Sequence, residues 1–198
     1  DSNAVISRLE KLLFYRPDFS EIETARELYA HALVQVERFE DAAGMLGALY
    51  ANAAEPSSLL KLGKLYIQSL REIERLSEAL RVCVDVKAIP TLSSEDQVSI
   101  EKMAREIIAK RLGAEEADKL WKTYSSDNRW AFIHPLIGYK LAKELYDGKN
   151  YDGSKEILNA VIGRYADTES GKEAATLLER LNNRFIVKTN KVGILLPL

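Results

Sequence analysis

The sequence predicts an all-α fold, a right-handed superhelical array of antiparallel helix pairs that ends in a short C-terminal strand or extended tail. The main observation is a small residue that recurs at intervals of 37, 38 and 37 residues, at Ala42, Ala79, Ala117 and Ser154. Four residues after each small residue comes a larger one: Leu46, Cys83, Trp121 and Leu158. Three residues further on come Leu49, Val86, Tyr124 and Val161. This spacing defines one helical face, and its fixed repetition is typical of stacked helical repeats.

The composition of the 198-residue chain narrows the class of protein. With 46% hydrophobic and 29% charged residues, the chain can bury a core and keep a polar surface. Its formal net charge of −2 argues against a general nucleic-acid binder, which usually carries a basic excess. No apolar run approaches the roughly eighteen residues that span a bilayer, so we expect no membrane contact by this segment. The single cysteine, Cys83, excludes an internal disulfide, and we interpret it as a small buried apolar residue.

The first three helices follow from apolar residues at helical spacing. An opening amphipathic helix, which ends before Pro17, is indicated by Val5, Leu9, Leu12 and Leu13. Residues 19–36 form the second predicted helix, whose i, i+3, i+4 pattern comprises Ile22, Ala25, Leu28, Tyr29, Ala32 and Leu33. A turn at residues 37–39 leads into the third helix, residues 40–51.

The next four helices are bounded by proline, serine and glycine. After Pro56, Ser58 is the predicted N-cap of a helix with inward residues Leu59, Leu62, Leu65, Tyr66 and Leu70. Its partner helix, residues 76–86, ends before Pro90. Ser93 or Ser94 caps a helix over about 95–112, which Gly113 terminates and whose inward residues are Val98, Met103, Ile107 and Ile108. The answering helix covers residues 115–124.

Three further helices and a tail complete the prediction. After a polar connection at residues 125–129, helices are expected from His134 to Leu145 and over 151–164 and 169–181. Residues 191–198 break the helical rhythm with an apolar run that suits a buried parallel strand. Because a lone strand is unstable, we predict a helical repeat domain over 1–185, and a linker and first strand of a following domain over 186–198. An extended tail lying on the helices is the alternative.

Parts of this pattern resemble tetratricopeptide repeats. Leu62, Gly63 and Tyr66 match the first helix of that motif. Residues 37–42 match its turn and the start of its second helix, and residues 149–154 do so with Ser154 in place of the usual alanine. The family repeats every 34 or so residues, whereas the spacing here is 37 or 38. The chain is therefore similar to a tetratricopeptide array with lengthened units.

Two further resemblances concern the C-terminal part. Residues 160–165 and 174–178 resemble repeats from bacterial envelope proteins. Residues 190–198 resemble the opening strand of periplasmic receptors of the branched-chain amino-acid type. The penicillin-binding-protein activator lipoproteins join a helical-repeat module to such a receptor-like domain. The resemblance implies a periplasmic setting, an outer-membrane anchor in the full-length protein, a peptidoglycan synthase as protein partner, and contact with a following C-terminal domain.

The resemblance to tetratricopeptide repeats implies where a partner would bind. In tetratricopeptide arrays the first helix of each pair lines a concave groove, which accepts a helix or an extended segment. In this sequence the groove residues would be His31, Gln35, Lys64, Gln68, Lys102, Glu106, Tyr139 and Lys143.

Other residues are weighed against simpler roles. Trp121 lies on the inward face of its repeat and is predicted to pack in the core, whereas core packing and an exposed or junction role both stay open for Trp130. The sequence has no metal-binding histidine spacing and no phosphate-binding glycine motif, so we predict no catalytic residue, cofactor or metal. An enzyme is the third hypothesis, for which Glu144 and Asp147 are the pair to test.

The leading interpretation is a non-catalytic protein-interaction module of a cell-envelope lipoprotein that regulates peptidoglycan synthesis. The alternative is a spacer or dimerisation arm of a periplasmic receptor for small molecules of the amino-acid type.

Overall fold

A computed structural model of the chain describes residues 2–184, and this part contains helices and no strand. The predicted tail, residues 186–198, lies outside the described residues. Ten α-helices and one short 3-10 helix follow one another: α1 Ser2–Tyr15, α2 Ile22–Gln35, α3 Phe39–Asn52, α4 Pro56–Glu72, α5 Leu76–Lys87, α6 Ser94–Lys110, α7 Ala114–Thr123, the 3-10 helix Asn128–Trp130, α8 His134–Asp147, α9 Tyr151–Tyr165 and α10 Glu169–Asn183. The all-α prediction is confirmed, while the handedness of the array stays a prediction.

The chain divides into two compact units. Of the described residues, the first unit contains 2–112 and 122–134, and the second contains 113–121 and 135–184. In the first unit each helix from α1 to α6 packs against the next. In the second unit α9 packs against α10, and the hydroxyl of Ser154 on α9 donates to the carbonyl oxygen of Ala142 on α8 at 2.8 Å. Packing therefore follows sequence order, as in a helical repeat protein.

One backbone hydrogen bond recurs at each predicted turn between the helices of a pair. An N–H just past the first helix donates to a carbonyl five residues earlier, at distances of 2.9 to 3.2 Å. The four donor–acceptor pairs are Arg38 to Leu33, Arg75 to Leu70, Leu112 to Ile107, and Asn150 to Leu145. This bond satisfies one of the carbonyls that a helix end leaves unpaired. Its recurrence every 37 or 38 residues shows the repeat in the backbone as well as in the side chains.

The four small residues that defined the repeat are all fully buried: Ala42, Ala79, Ala117 and Ser154. The larger residues at +4 and +7 are also buried in three of the four repeats, and the third is the exception, because Trp121 and Tyr124 are only half-buried. Cys83 is buried as expected, and this burial raises the pKa of its thiol to about 12. The predicted inward face is thus confirmed in the first, second and fourth repeats.

Two glycines allow the helices of a pair to approach closely. A Cβ at Gly63 on α4 would lie 2.5 Å from Cγ2 of Val86 on α5. A Cβ at Gly138 on α8 would lie 2.6 Å from Cγ2 of Val161 on α9. Both valines are the +7 residues of their repeats, so the two pairs are built in the same way. The absence of a side chain at Gly63 is what permits the close approach of α4 and α5 at this point.

The third repeat departs from the others around Trp130. This tryptophan is 1% exposed and stacks on Tyr124, with ring centroids 3.9 Å apart and planes 8° from parallel. The 3-10 helix that carries it is capped by Asp127, whose carboxylate accepts from the N–H of Arg129 at 3.0 Å. Arg129 also reaches Asp85 on α5 at 3.2 Å. The open alternative for Trp130 is therefore resolved in favour of core packing.

Some predicted helix boundaries are wrong. Helix α4 begins at Pro56, so Ser58 lies inside the first turn and is not the N-cap. The rigid φ of proline suits the first helical position, where no N–H is needed. Helix α6 ends at Lys110, and Gly113 does not adopt a positive φ. The Ser93 cap is confirmed, since its side chain accepts from the N–H of Asp96 at 3.1 Å.

The turns within the pairs provide a stability prediction. Glu37, Glu74 and Lys149 have positive φ angles of 61°, 58° and 64°, a left-handed conformation that costs a non-glycine residue roughly 1 kcal/mol. We expect Glu37→Gly to raise the free energy of unfolding by about 0.5 kcal/mol, because glycine removes this strain but gives the unfolded chain more freedom. Urea denaturation measures the change.

The matched variant is Glu74→Gly, at the equivalent turn. Arg111 Nη1 donates to Glu74 Oε1 at 2.9 Å, and the substitution removes this contact. We expect a smaller gain than at residue 37, or none. A loss of stability in Glu37→Gly would contradict the left-handed turn.

Candidate functional site

The first helices of the pairs in the first unit, α2, α4 and α6, are neighbours joined by ion pairs. Lys61 on α4 reaches Glu27 on α2 at 3.4 Å, and Lys64 on α4 reaches Asp96 on α6 at 2.7 Å. These contacts place the three helices side by side. We use the term first-helix face for exposed and half-buried side chains of these helices: Leu28, His31, Gln35, Lys61, Lys64, Gln68, Val98, Lys102 and Glu106.

Six of the eight predicted groove residues lie on this face. His31 and Gln35 are exposed on α2, and Lys102 is exposed on α6. The other three of the six are half-buried: Lys64, Gln68 and Glu106. The remaining two predicted residues, Tyr139 and Lys143, belong to α8 in the second unit.

Lys64 is engaged within the protein. Its ammonium group donates to Asp96, which also accepts from the Ser93 hydroxyl at 2.6 Å. The hydrogen bond from Lys64, together with that from Ser93, holds the pKa of Asp96 below its usual value. Because a partner would have to compete with this pair for the Lys64 charge, Lys64 contributes to helix alignment more directly than to binding.

Tyr139 has a structural role in the second unit. It packs against a buried cluster formed by Ala142, Leu158, Val161 and Ala174. This burial raises the pKa of its phenol, and the nearby charge of Glu173 acts in the same direction. Lys143 on the same helix is exposed.

Val98 was predicted to point inward, and that prediction is wrong; Leu28, part of the apolar pattern that predicted the second helix, is exposed as well. Leu28 is 58% exposed and Val98 is 65% exposed. Leu28 precedes Gln35 by seven residues, two helical turns, and so lies on the same side of α2 as that exposed residue. Val98 precedes the buried Ile100 by two residues, which places it about 160° around α6 from the core side. On α6, the angle between Val98 and the isoleucines that were predicted to point inward would have revealed the exposure of Val98 from the sequence alone.

Val98 lies at one end of an open depression along α6. The depression has a volume of about 480 Å³ and is lined by Val98, Glu101, Lys102, Arg105, Glu106, Ala109 and Lys110. Five of the seven lining residues are charged, so its apolar surface comes from Val98, Ala109 and the aliphatic parts of the long side chains. An apolar surface with charged groups at its rim is the arrangement found at the centre of many protein–protein interfaces.

The two side chains proposed for the enzyme hypothesis, Glu144 and Asp147, lie near the C-terminal end of α8. Glu144 pairs with Lys140 at 2.8 Å, one helical turn away, and its side chain is 37% exposed. Asp147 is exposed at the end of α8. A partly hydrated carboxylate beside a lysine differs from the buried acid that general acid catalysis usually uses. Within residues 2–184, no cluster of three or more His, Cys, Asp or Glu side chains could hold a metal ion.

The fold defines the class: an all-helical protein built from repeated helix pairs. No helix among the described residues is both long enough and apolar enough to cross a bilayer. No known protein family matches the sequence, and neither the curated proteins nor the solved structures contain a significant match.

Proposed function

We propose that the chain is a non-catalytic protein-interaction module whose first-helix face binds a helix or an extended segment of another protein. The observation that carries the proposal is the exposure of Leu28 and Val98 on this face, 58% and 65%. An exposed apolar side chain is common, but two on the first-helix face, on the helices that flank α4 and among polar groups that can form hydrogen bonds, suit a docking surface.

The chemistry of the face suggests how a segment would bind. Val98 and the aliphatic part of Lys102 supply apolar contact in the depression on α6. Glu106 supplies a hydrogen-bonding group in the depression, and His31 supplies another on α2, elsewhere on the first-helix face. A partner segment with one or two apolar side chains and flanking polar groups would form both the apolar contacts and the hydrogen bonds. Its binding involves no covalent step.

The sequence resemblances extend the proposal to a cellular setting. They support a module of a bacterial envelope lipoprotein, periplasmic and anchored to the outer membrane in the full-length protein, with a peptidoglycan synthase as partner. The support comes from the repeat-like segments and from the receptor-like tail at residues 190–198.

The same tail favours a second candidate function, a spacer or dimerisation arm beside a receptor domain. Titration calorimetry of the full-length protein with amino acids distinguishes the two. Heat of binding that is unchanged by substitutions on the first-helix face supports the spacer.

Site-specific photocrosslinking tests the docking face. A photoreactive amino acid is placed at His31 or Lys102, and the protein is irradiated in bacterial envelope extract. We expect both positions to capture the same protein. The matched controls are Glu40 and Arg81, which are equally exposed but lie on the second helices α3 and α5. Equal capture at the control positions, or none at either face position, would contradict the proposal.

A further inference from the structure

Helix α1 corresponds to the second helix of a pair. Its bounds, Ser2–Tyr15, precede those of the second helix α3, Phe39–Asn52, by 37 residues at both ends, which is the interval of the repeat. The repeat positions of α3 therefore have counterparts in α1: Val5 for Ala42, Leu9 for Leu46, and Leu12 for Leu49. Because these positions keep the +4 and +7 spacing, they share one side of the helix, which we call its repeat face.

In the complete pairs, the repeat face of the second helix is covered by the first helix of the same pair. Val86 of α5 lies where a Cβ on Gly63 of α4 would collide with it. On α9 the hydroxyl of Ser154 bonds to the carbonyl oxygen of Ala142 on α8. All nine repeat-face residues of α3, α5 and α9 are buried.

On α1 the repeat face is uncovered. Val5 is 47% exposed, and Leu9 and Leu12 are only half-buried, although the neighbouring Ile6 is 4% exposed. Among residues 2–184, the helix that packs extensively against α1 is α2, which belongs to the following pair. The repeat face of α1 therefore lacks the cover that the other second helices have within their pairs.

Two first helices of the chain show which chemistry covers a repeat face. Both α4 and α8 carry a glycine, Gly63 and Gly138, that lets the second helix approach closely. Both also have apolar residues one position before that glycine and three, four and seven positions after it: Leu62, Tyr66, Ile67 and Leu70 in α4, and Ile137, Leu141, Ala142 and Leu145 in α8. A helix with this pattern has the apolar side and the glycine that a repeat face requires.

A second copy of this chain does not offer such a helix. Helix α10 follows α8 by one repeat interval, since the buried Ala174 follows the buried Ile137 by 37 residues, and within residues 2–184 no second helix comes after it. Two of its positions that are apolar in both α4 and α8 carry the exposed polar residues Glu179 and Asn182. A polar outer side is typical of the terminal helix of a repeat array and does not suit an apolar partner surface.

We propose that the repeat face of α1 binds an amphipathic helix of another protein, which lies where the first helix of a pair would lie. The bound helix places its glycine against Leu12, as Gly63 lies against Val86, and its apolar side chains cover Val5 and Leu9. Binding removes from water the apolar area that the other repeats bury within the chain. The surface is distinct from the first-helix face of α2, α4 and α6, so each proposal can fail alone.

The test uses two synthetic peptides of the α4 sequence, residues 56–72, one unaltered and one with Gly63→Leu. A lactam bridge between positions 61 and 65, on the side opposite Gly63, keeps both helical, because an isolated helix of this length is marginal in water. Binding to the 198-residue chain is measured by fluorescence anisotropy of a dye on the peptide. We expect the glycine peptide to bind at least tenfold more tightly, although leucine adds apolar surface, because a side chain at this position holds the helices apart.

Variants of exposed residues locate the site without unfolding the protein. Val5→Glu should reduce binding of the glycine peptide at least tenfold, because it places a charge in the apolar contact. The matched control is Phe14→Ser, since Phe14 is 78% exposed and lies about 180° around α1 from Val5. This variant should leave the affinity unchanged, and so should Val98→Ser on α6, which separates the surface from the first-helix face.

Three results would overturn the proposal. The first is that the glycine peptide does not bind, or binds no more tightly than the leucine peptide. The second is an equal loss of affinity in Val5→Glu and Phe14→Ser, which would mean nonspecific adhesion to α1. The third is a concentration-dependent dimer, measured by sedimentation, that Val5→Glu abolishes, since the occupant is then a second copy of this chain.

Discussion

Replacing Gly171 by alanine is expected to destabilise the second unit by about 3 kcal/mol, although alanine is the better helix former by about 1 kcal/mol. Gly171 is buried in the first turn of α10, and its N–H donates to the Thr168 hydroxyl at 3.0 Å. A Cβ at this position would collide with the backbone carbonyl of Tyr165, which cannot rotate away as a side chain can. The steric cost therefore exceeds the propensity gain.

The matched control is Gly163→Ala. Gly163 lies in α9, is exposed, and has nothing within 4 Å of the Cβ position. Alanine there should stabilise by up to about 1 kcal/mol. Urea denaturation followed by far-ultraviolet circular dichroism measures both variants. If both substitutions stabilise the protein, the close approach of Gly171 to the Tyr165 carbonyl does not exist in solution.

Trp121→Ala is expected to cost about 3 kcal/mol, the lower end of the range for a core tryptophan because the side chain is only half-buried. The ring packs against the cluster of α8, α9 and α10 and lies over Gly138, where a Cβ would meet its Cζ3 atom at 2.6 Å. Removing the ring uncovers that cluster and leaves space that the helix backbones fill only partly.

A double-mutant cycle with Gly138→Ala tests the contact directly. Alone, Gly138→Ala should destabilise by about 1–3 kcal/mol, since the new methyl group meets both Trp121 and Val161. With Trp121→Ala the methyl group occupies part of the vacated space, so the two costs should sum to more than the double mutant shows, by about 1 kcal/mol. Additive costs would mean that the ring does not cover Gly138.

The regular part of the fold was predictable from sequence because it depends on local spacing. A small residue is needed where two helices pack closely, and its regular recurrence can be seen in the sequence. All four such positions are buried. The third repeat was less predictable because its core depends on the stacking of Trp130 on Tyr124. Trp130 lies in a stretch without helical periodicity, so no pattern in the sequence indicates that it stacks on Tyr124.

The candidate site was predicted only in outline. The spacing placed six of the eight groove residues on the first helices of one unit, but it assigned Val98 to the inward side and did not mark Leu28 as exposed. Apolar character alone does not reveal which side of a helix lacks a neighbour, because that depends on how the helices pack. The engagement of Lys64 with Asp96 also depends on a contact between residues 32 positions apart in the sequence.

The left-handed turns within the helix pairs bear on protein engineering and on the evolution of the repeat. Glu37-Arg38 and Glu74-Arg75 are the same dipeptide in the same left-handed turn. Excising residues 38–74 would join Glu37 to Arg75 and leave the local chemistry of the junction unaltered, and duplicating that segment would do the same. The chain thus carries a natural cassette boundary, at which whole hairpins can be gained or lost by recombination. The Glu-Arg dipeptide of the left-handed turn is preserved in either case.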